Sequence, residues 1–279
     1  MMNSKIFLSL LGVIFCGFLW AASSVKAHEG HDDVADLMVP AEITAEILQI
    51  KPLAKGENGS FVLSLKNPDG GFPVMVEQLE ITHTKPIHIF VIDRSLTDFQ
   101  HIHPRVARAP GEYLFGMVPQ TDCGYKMWVS IKPQLMDTQI LPLDLDGKEE
   151  CEAPSVSEMA QSLRVEDERN IFELKLETPL KAHEHGSFIL HVTDKNTDED
   201  YAFLEPVLGA FAHAVGFSYD LKTMAHIHPE GDAPQSFTDR AGPLMKFHIT
   251  PQQSGLLKLF VQLRIHGSEV IIPFAVDVE

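Results

Sequence analysis

The sequence predicts an all-β protein: two tandem immunoglobulin-like β-sandwich domains related by internal duplication. Three observations predict it. First, a histidine pattern occurs twice, in "HIFVIDRSLTDFQHIHP" from His88 to Pro104 and in "HAVGFSYDLKTMAHIHP" from His213 to Pro229. Second, other segments match in the same order around it. "PLAKGENGSFVLSLK" from Pro52 pairs with "PLKAHEHGSFILHVT" from Pro179, "GYKMWV" from Gly124 with "GLLKLFV" from Gly255, and "ILPLDL" from Ile140 with "IIPFAV" from Ile271. Such ordered self-similarity marks a duplicated unit of roughly 100 residues. Third, short apolar or alternating runs such as residues 60–66, 87–92 and 126–131 are rich in Val, Ile and Phe, and Pro, Gly, Asn and Asp separate them. No long stretch of helical period competes. Short strands with regular turn signals point to a sandwich, with a cupin-type barrel as the rival arrangement.

In chain order, Lys5 precedes an apolar run over residues 6–22, and Val25-Lys26-Ala27 fits the small-residue rule for signal-peptide cleavage. The expected signal peptide is 1–27, and the mature chain starts at His28. An uncleaved anchor is the competing reading. The run is slightly short of the roughly 20 residues a span needs, and no positive cluster follows it. Cys16 lies inside the run without a convincing lipobox. The expected location is the periplasm or the exterior of the cell. Residues 28–42 read as a flexible, acidic, His-containing tail, 43–146 as the first sandwich, 147–168 as a linker and 169–279 as the second sandwich. Within the linker, "SVSEMAQSLRVEDE" reads as a short helix or a polar connector.

The whole chain carries 22 Lys and Arg against 39 Asp and Glu, a net charge of −17. Residues 1–27 hold two lysines and no acid, so the mature 252 residues carry −19. A field of that sign repels nucleic acid and anionic membrane surfaces and attracts cations. Acidity of this kind also serves plain solubility. Two cysteines, Cys123 and Cys151, follow the signal region. An even count in an oxidising compartment suggests a disulfide; a pair of thiolate metal ligands is the alternative.

The histidine spacing carries the chemistry. His88 precedes His101 by 13 positions and His103 by 15, and His213 precedes His226 and His228 by the same intervals. On a strand, residues two apart share a face. "DRSLTD" is a plausible reverse turn between paired strands. If its loop holds an even number of residues, the odd separations place His88, His101 and His103 on one patch, and His213, His226 and His228 on another. An odd loop or a bulge breaks this. Three neutral imidazoles with an open position suit zinc or copper. The competing reading is a set of partly buried histidines kept for packing. His83, five residues before His88, is a possible accessory ligand of the first site; the second copy has no counterpart.

Two further candidates stand apart from the repeat. Cleavage after Ala27 would expose His28, whose free amine and imidazole form a chelate that His31 can complete; a disordered polar tail is the alternative. His183 and His185 sit in a loop before a strand of the second copy, as accessory ligands or simply as a solvated loop. His191, His248 and His266 read as ordinary single residues. Met117, Met127, Met136, Met224 and Met245 form no MxxM or MxM cluster and suit core gaps.

"ITHTKPIHIFVIDRSLTDFQHIHP" and "LGAFAHAVGFSYDLKTMAHIHPEG" resemble the repeated modules of exported bacterial proteins with an H-x-HP signature, described as heavy-metal-associated and grouped with YtkA-like β-sandwich domains. The resemblance covers most of both copies. Its motif positions are Lys85, Pro86, His88, His101, His103 and Pro104, then Leu208, Gly209, His213, His226, His228 and Pro229. It implies a β-sandwich and metal handling, and no reaction. The first copy lacks the "LGA" before its first histidine. The resulting expectation is an exported protein that binds copper or zinc for buffering, delivery or tolerance, with the metal ion and an exported or membrane-bound metal-handling protein as partners. A non-enzymatic interaction module with structural histidines is one alternative. A superoxide-dismutase-like or cupin-like metalloenzyme is another, although no Ser/His/Asp order, phosphate loop or HExxH is present.

Overall fold

Strands are nearly all of the regular secondary structure of the computed structural model, which describes residues 43–68, 71–145, 151, 162–227 and 229–279. The first copy supplies β1 (Thr44–Lys51), β2 (Gly59–Lys66), β3 (Ile87–Asp93), β4 (Phe99–Ile102), β5 (Arg105–Val106), β6 (Glu112–Met117), β7 (Tyr125–Ile131) and β8 (Gln139–Leu145). The second supplies β9 (Arg164–Glu166), β10 (Asn170–Leu176), β11 (Gly186–Asp194), β12 (Glu199–Asp200), β13 (Ala212–Ser218), β14 (Met224–Ile227), β15 (Leu244–Ile249), β16 (Gly255–Ile265) and β17 (Ser268–Val278). A 3-10 turn, Val76–Gln78, is the one helical element among the described residues. None of these is a helix long and apolar enough to cross a membrane. β9 lies inside the stretch expected as linker and pairs with β10; the rest of "SVSEMAQSLRVEDE" falls largely outside the described residues.

Each copy folds into two antiparallel sheets. The first has the orders β1-β2-β6-β5 and β4-β3-β7-β8; the second has β12-β11-β10-β9 with β15 on β11, and β14-β13-β16-β17. The duplicated sequence thus becomes a duplicated sandwich. A cupin-type barrel does not form, because each sheet stays open at its edges.

The four sheets stack as four layers with three apolar fillings. Phe61, Leu63, Leu65, Ile87, Ile89, Val91, Met127 and Val129 fill the first sandwich. Phe172, Phe188, Leu190, Ala212, Ala214, Leu259 and Val261 fill the second. The third filling lies between the two sandwiches. Phe90, Ile92, Leu96, Phe99 and Trp128 of the first copy meet Val215, Phe217, Leu221, Met224, Leu256 and Phe260 of the second. Phe99 stacks on Phe260 at 4.8 Å, and Trp128 lies 5.1 Å from Phe217.

This interface explains the sequence of β3 and β13. Every residue of both strands is buried, because even-numbered β3 residues face the partner sandwich while odd-numbered ones face their own core. A strand covered on both sides needs no polar alternation. The interface also repeats across its two halves. Leu96 and Leu221 both take positive φ at a hairpin tip and tuck into the filling, and Lys126 and Lys258 each lie 5.7 Å from the ring of Trp128 and Phe260. Met117, Met127, Met224 and Met245 are buried as expected; Met136 is only half-buried.

Candidate metal centre

The β3–β4 hairpin gathers the first histidine set. Phe90 pairs with His101 and Ile92 with Phe99, and the Asp93 amide donates to the Asp98 carbonyl. The loop is therefore residues 94–97, an even number, and His88, His101 and His103 emerge on one face. Buried Asp93 sets that loop length. Its carboxylate accepts from the amides of Thr97 at 2.8 Å and Asp98 at 2.9 Å, from Thr121 Oγ1 at 3.1 Å, and from Ser95 Oγ. In the second copy, Val215 pairs with His226 and Phe217 with Met224. There Ser218 Oγ does the work of Asp93, accepting from the amides of Lys222 at 3.1 Å and Thr223 at 2.9 Å. His228, His28 and His31 lie outside the described residues.

His103-Pro104 and Pro229 mark the point where the chain changes sheets. After β4 it passes to β5, which pairs with β6 in the opposite sheet, and Pro229 bridges to Phe247 of β15. Proline suits such a corner because no ladder hydrogen bond is asked of its nitrogen.

The three nitrogens of the first set converge. His88 Nδ1 lies 3.0 Å from His101 Nε2 and 3.2 Å from His103 Nε2, and one ligand atom from each ring lies within 4.8 Å of the others. The outer nitrogens fix the tautomers. His88 Nε2–H donates to the Thr82 carbonyl at 2.9 Å, so Nδ1 carries the lone pair. Gln262 Nε2 donates to the Glu269 carboxylate at 3.0 Å, which turns Gln262 Oε1 toward His101. His101 Nδ1–H donates to that oxygen at 2.9 Å, so His101 Nε2 carries its lone pair. Two acceptors thus face each other at hydrogen-bond distance.

A proton does not resolve that contact at neutral pH. Burial lowers the pKa of His88. Burial, with the neighbouring histidines, lowers His101 to about 4 and His103 to about 3. Converging neutral lone pairs in a half-buried pocket are the donor set of a metal ion. His88, His101 and His103 can therefore hold one.

The second set adjoins the first across the interface. The rings of His88 and His226 are 5.8 Å apart, and those of His101 and His213 are 6.4 Å apart. Phe90 lies between His101 at 4.6 Å and His226 at 4.7 Å. His213 Nε2–H donates to the Val207 carbonyl at 3.0 Å, as His88 does to Thr82, which leaves the lone pair on Nδ1. Burial and the nearby His83 lower the His213 pKa to about 3.

His83 does not sit where the sequence suggested. Its ring is 6.2 Å from His88 but 5.2 Å from His213 and 5.8 Å from His226, so it reaches toward the second copy's set. A two-residue turn places it there: Thr82 and Lys85 exchange both backbone hydrogen bonds, with His83 and Thr84 at φ 47° and 69°. Val207 and Ala210 close the same turn in the second copy, through Leu208 and Gly209 at φ 50° and 80°. Glycine favours that geometry and a β-branched threonine does not; such positions cost on the order of 1–3 kcal/mol each. The two turns touch, since a Cβ on Gly209 would lie 3.3 Å from Thr84 Cγ2.

The remaining candidates separate from this centre. His183 takes φ 63° in its loop, and its amide donates to the Pro251 carbonyl. His185 Nε2 lies 3.1 Å from His248 Nδ1, and His248 Nε2 lies 3.0 Å from Glu230 Oε2. His248 is thus not the isolated residue its sequence context suggests; the pairing of β11 with β15 brings it to His185, which immediately precedes β11. His191 pairs with Asp200 at 2.7 Å, and His266 lies against Tyr201 at 5.2 Å. Cys123 and Cys151 form a disulfide with Cα atoms 5.4 Å apart, which removes the thiolate-ligand alternative.

Residues 165–279, most of the second copy, match a family described as a domain of unknown function (DUF8832). The YtkA-like grouping is not among the families matched. No curated protein matches the chain. Among solved structures, the D00-D0 domain of intimin is 9% identical over 84% of this chain and 99% of that one, with a TM-score of 0.21. The native Escherichia coli alpha-2-macroglobulin is 12% identical over 88% of this chain and 15% of that one, with a TM-score of 0.28. A Salmonella alpha-2-macroglobulin mutant is 10% identical over 86% of this chain and 15% of that one, with a TM-score of 0.23.

Proposed function

We propose that this chain is an exported metal-binding protein that takes copper or zinc at His88, His101 and His103, with His213, His226 and His228 as the repeated second set. The observation that carries this is the approach of His88 Nδ1 and His101 Nε2 to 3.0 Å with both lone pairs directed inward. Imidazole suits zinc and copper alike, and the acidic surface raises the local concentration of either cation. The disulfide fits an oxidising compartment. Buffering, delivery or tolerance are the roles such a site serves, with an exported or membrane-bound metal-handling protein as donor or acceptor.

A second reading rests on the packing of His101 and His226 against Phe90: the histidines would then be structural members of the interface. One experiment separates the two. Metal content is measured by mass spectrometry on exported, tag-free protein and on the His101→Ala/His103→Ala variant. Copper or zinc near stoichiometry, reduced in a variant that stays folded, supports the metal reading. Protein that holds no metal and takes up none at micromolar concentration supports the structural one.

A further inference from the structure

We infer that His83 completes a second metal seat with His213 and His226, built from both copies and distinct from the His88, His101, His103 seat. This rests on the reading of the histidine centre as a metal site and adds to it a position the repeat does not encode. The second copy has Leu208 at the turn position where the first has His83, so duplication alone does not put a histidine there.

The geometry supports a seat in three ways. Metal–nitrogen bonds of about 2.0–2.1 Å with tetrahedral angles place imidazole centroids roughly 5 Å apart. The His83–His213, His83–His226 and His213–His226 centroids are 5.2, 5.8 and 6.2 Å apart, wider than the 5.3, 4.9 and 4.6 Å of His88–His101, His88–His103 and His101–His103; among the described residues only that first set already brings its ligand atoms together, so the rings of the second seat close by roughly 1 Å around an ion. Second, His213 is held by the Val207 carbonyl in the tautomer that carries its lone pair on Nδ1, the arrangement His88 has in the first seat. Third, the Thr82–Lys85 turn keeps His83 in a left-handed conformation with Thr84 against Gly209. Strain held at a contact between copies is a mark of a functional constraint.

Support runs in both directions. His83 of the first copy enters the set of the second, and Gln262 of the second orients His101 of the first. Removing the first copy would take a ligand from the second seat, and removing the second would take from the first seat the partner that orients His101. Neutral imidazoles cancel none of the charge of the ions they hold, so two dications repel and the second ion binds more weakly than the first.

The test uses zinc titration of the full mature chain by competition with a chromophoric chelator. The His101→Ala/His103→Ala variant is expected to keep about one equivalent, and adding His83→Leu to weaken that equivalent at least tenfold. The His83→Leu/His226→Ala variant is expected to keep the ion of the first seat. Loss of all zinc in His101→Ala/His103→Ala with its near-UV dichroism intact overturns the second seat, as does indifference of the remaining ion to His83→Leu. Zinc lost on removing His83 and His226 but kept on removing His101 and His103 would overturn the first seat alone. A cobalt titration of wild type and His83→Leu needs no variant of the first set. A second tetrahedral absorption band absent from His83→Leu supports the seat, and identical titrations overturn it.

Discussion

His101 Nδ1 donates to Gln262 Oε1 across the boundary between the sandwiches, a bond of 2.9 Å between residues 161 positions apart. Glu269 anchors the same amide from the other side at 3.0 Å. A partner that fixes the outer nitrogen of a ligand imidazole also fixes the lone pair on the inner one. The Gln262→Leu variant should therefore lose about 10–100-fold in zinc or copper affinity while keeping its fold. Glu269→Gln should shift affinity in the same direction by less, since it loosens the amide without removing it. Competition titration reads both.

Asp93 decides which face the first histidines occupy. Its carboxylate accepts from two backbone amides and three hydroxyls, and a buried donor left without a partner costs about 1–3 kcal/mol. Asp93→Ala should destabilise the protein by about 2–4 kcal/mol in urea unfolding and weaken metal binding, because loop 94–97 loses its brace. One residue inserted into that loop should abolish binding at the first seat, since a single-residue slip turns every side chain of a strand to the opposite face.

The apolar filling between the sandwiches is tested at Phe217, which is fully buried and lies 5.1 Å from Trp128 and 5.6 Å from Phe99. Phe217→Ala should cost about 3–5 kcal/mol, the range for a large core aromatic. Trp128 emission should move to longer wavelength as water reaches its ring. Unchanged emission would mean that the two sandwiches do not rest on each other there.

Acid should weaken the metal-free protein through its histidines. His83 and His101 are lowered to about 4, and His103 and His213 to about 3, chiefly by burial. These pKa values lie below the unfolded value of about 6.5, so below that pH the unfolded chain takes up protons that the folded chain refuses. Stability contributed by the neutral rings is complete above about 6.5 and falls as the pH drops toward 4 and then 3. Urea midpoints measured from pH 7 to pH 4 should decline for the wild type. They should decline less for His101→Ala/His103→Ala, and bound metal should shift the loss to lower pH.

Much of this architecture was legible in the residues, because the duplication and the period-two runs of Val, Ile and Phe specify paired strands. The histidine patch was legible for a reason that can be named. An odd separation across an even loop forces a shared face, and the loop proved even through Asp93 and Ser218. What stayed hidden is long-range. Nothing local to Gln262 marks it as the partner of His101. The full burial of β3 and β13 was readable as apolar sequence, but one chain of letters does not say which surface covers Phe90 or Val215. His83 was placed with its sequence neighbour His88, and the turn at Thr84 directed it across the interface instead. His248 looks solitary because its companion His185 lies 63 positions away, just before the strand β11 that pairs with β15.

The most direct test of the central claim is anomalous diffraction from crystals of the protein loaded with zinc or copper, collected at the absorption edge of the metal. The predicted result is a peak at bonding distance from His88 Nδ1, His101 Nε2 and His103 Nε2, with Gln262 still bonded to His101. Loaded crystals with no peak among these rings, or with a peak only at the surface pair His185 and His248, would contradict it.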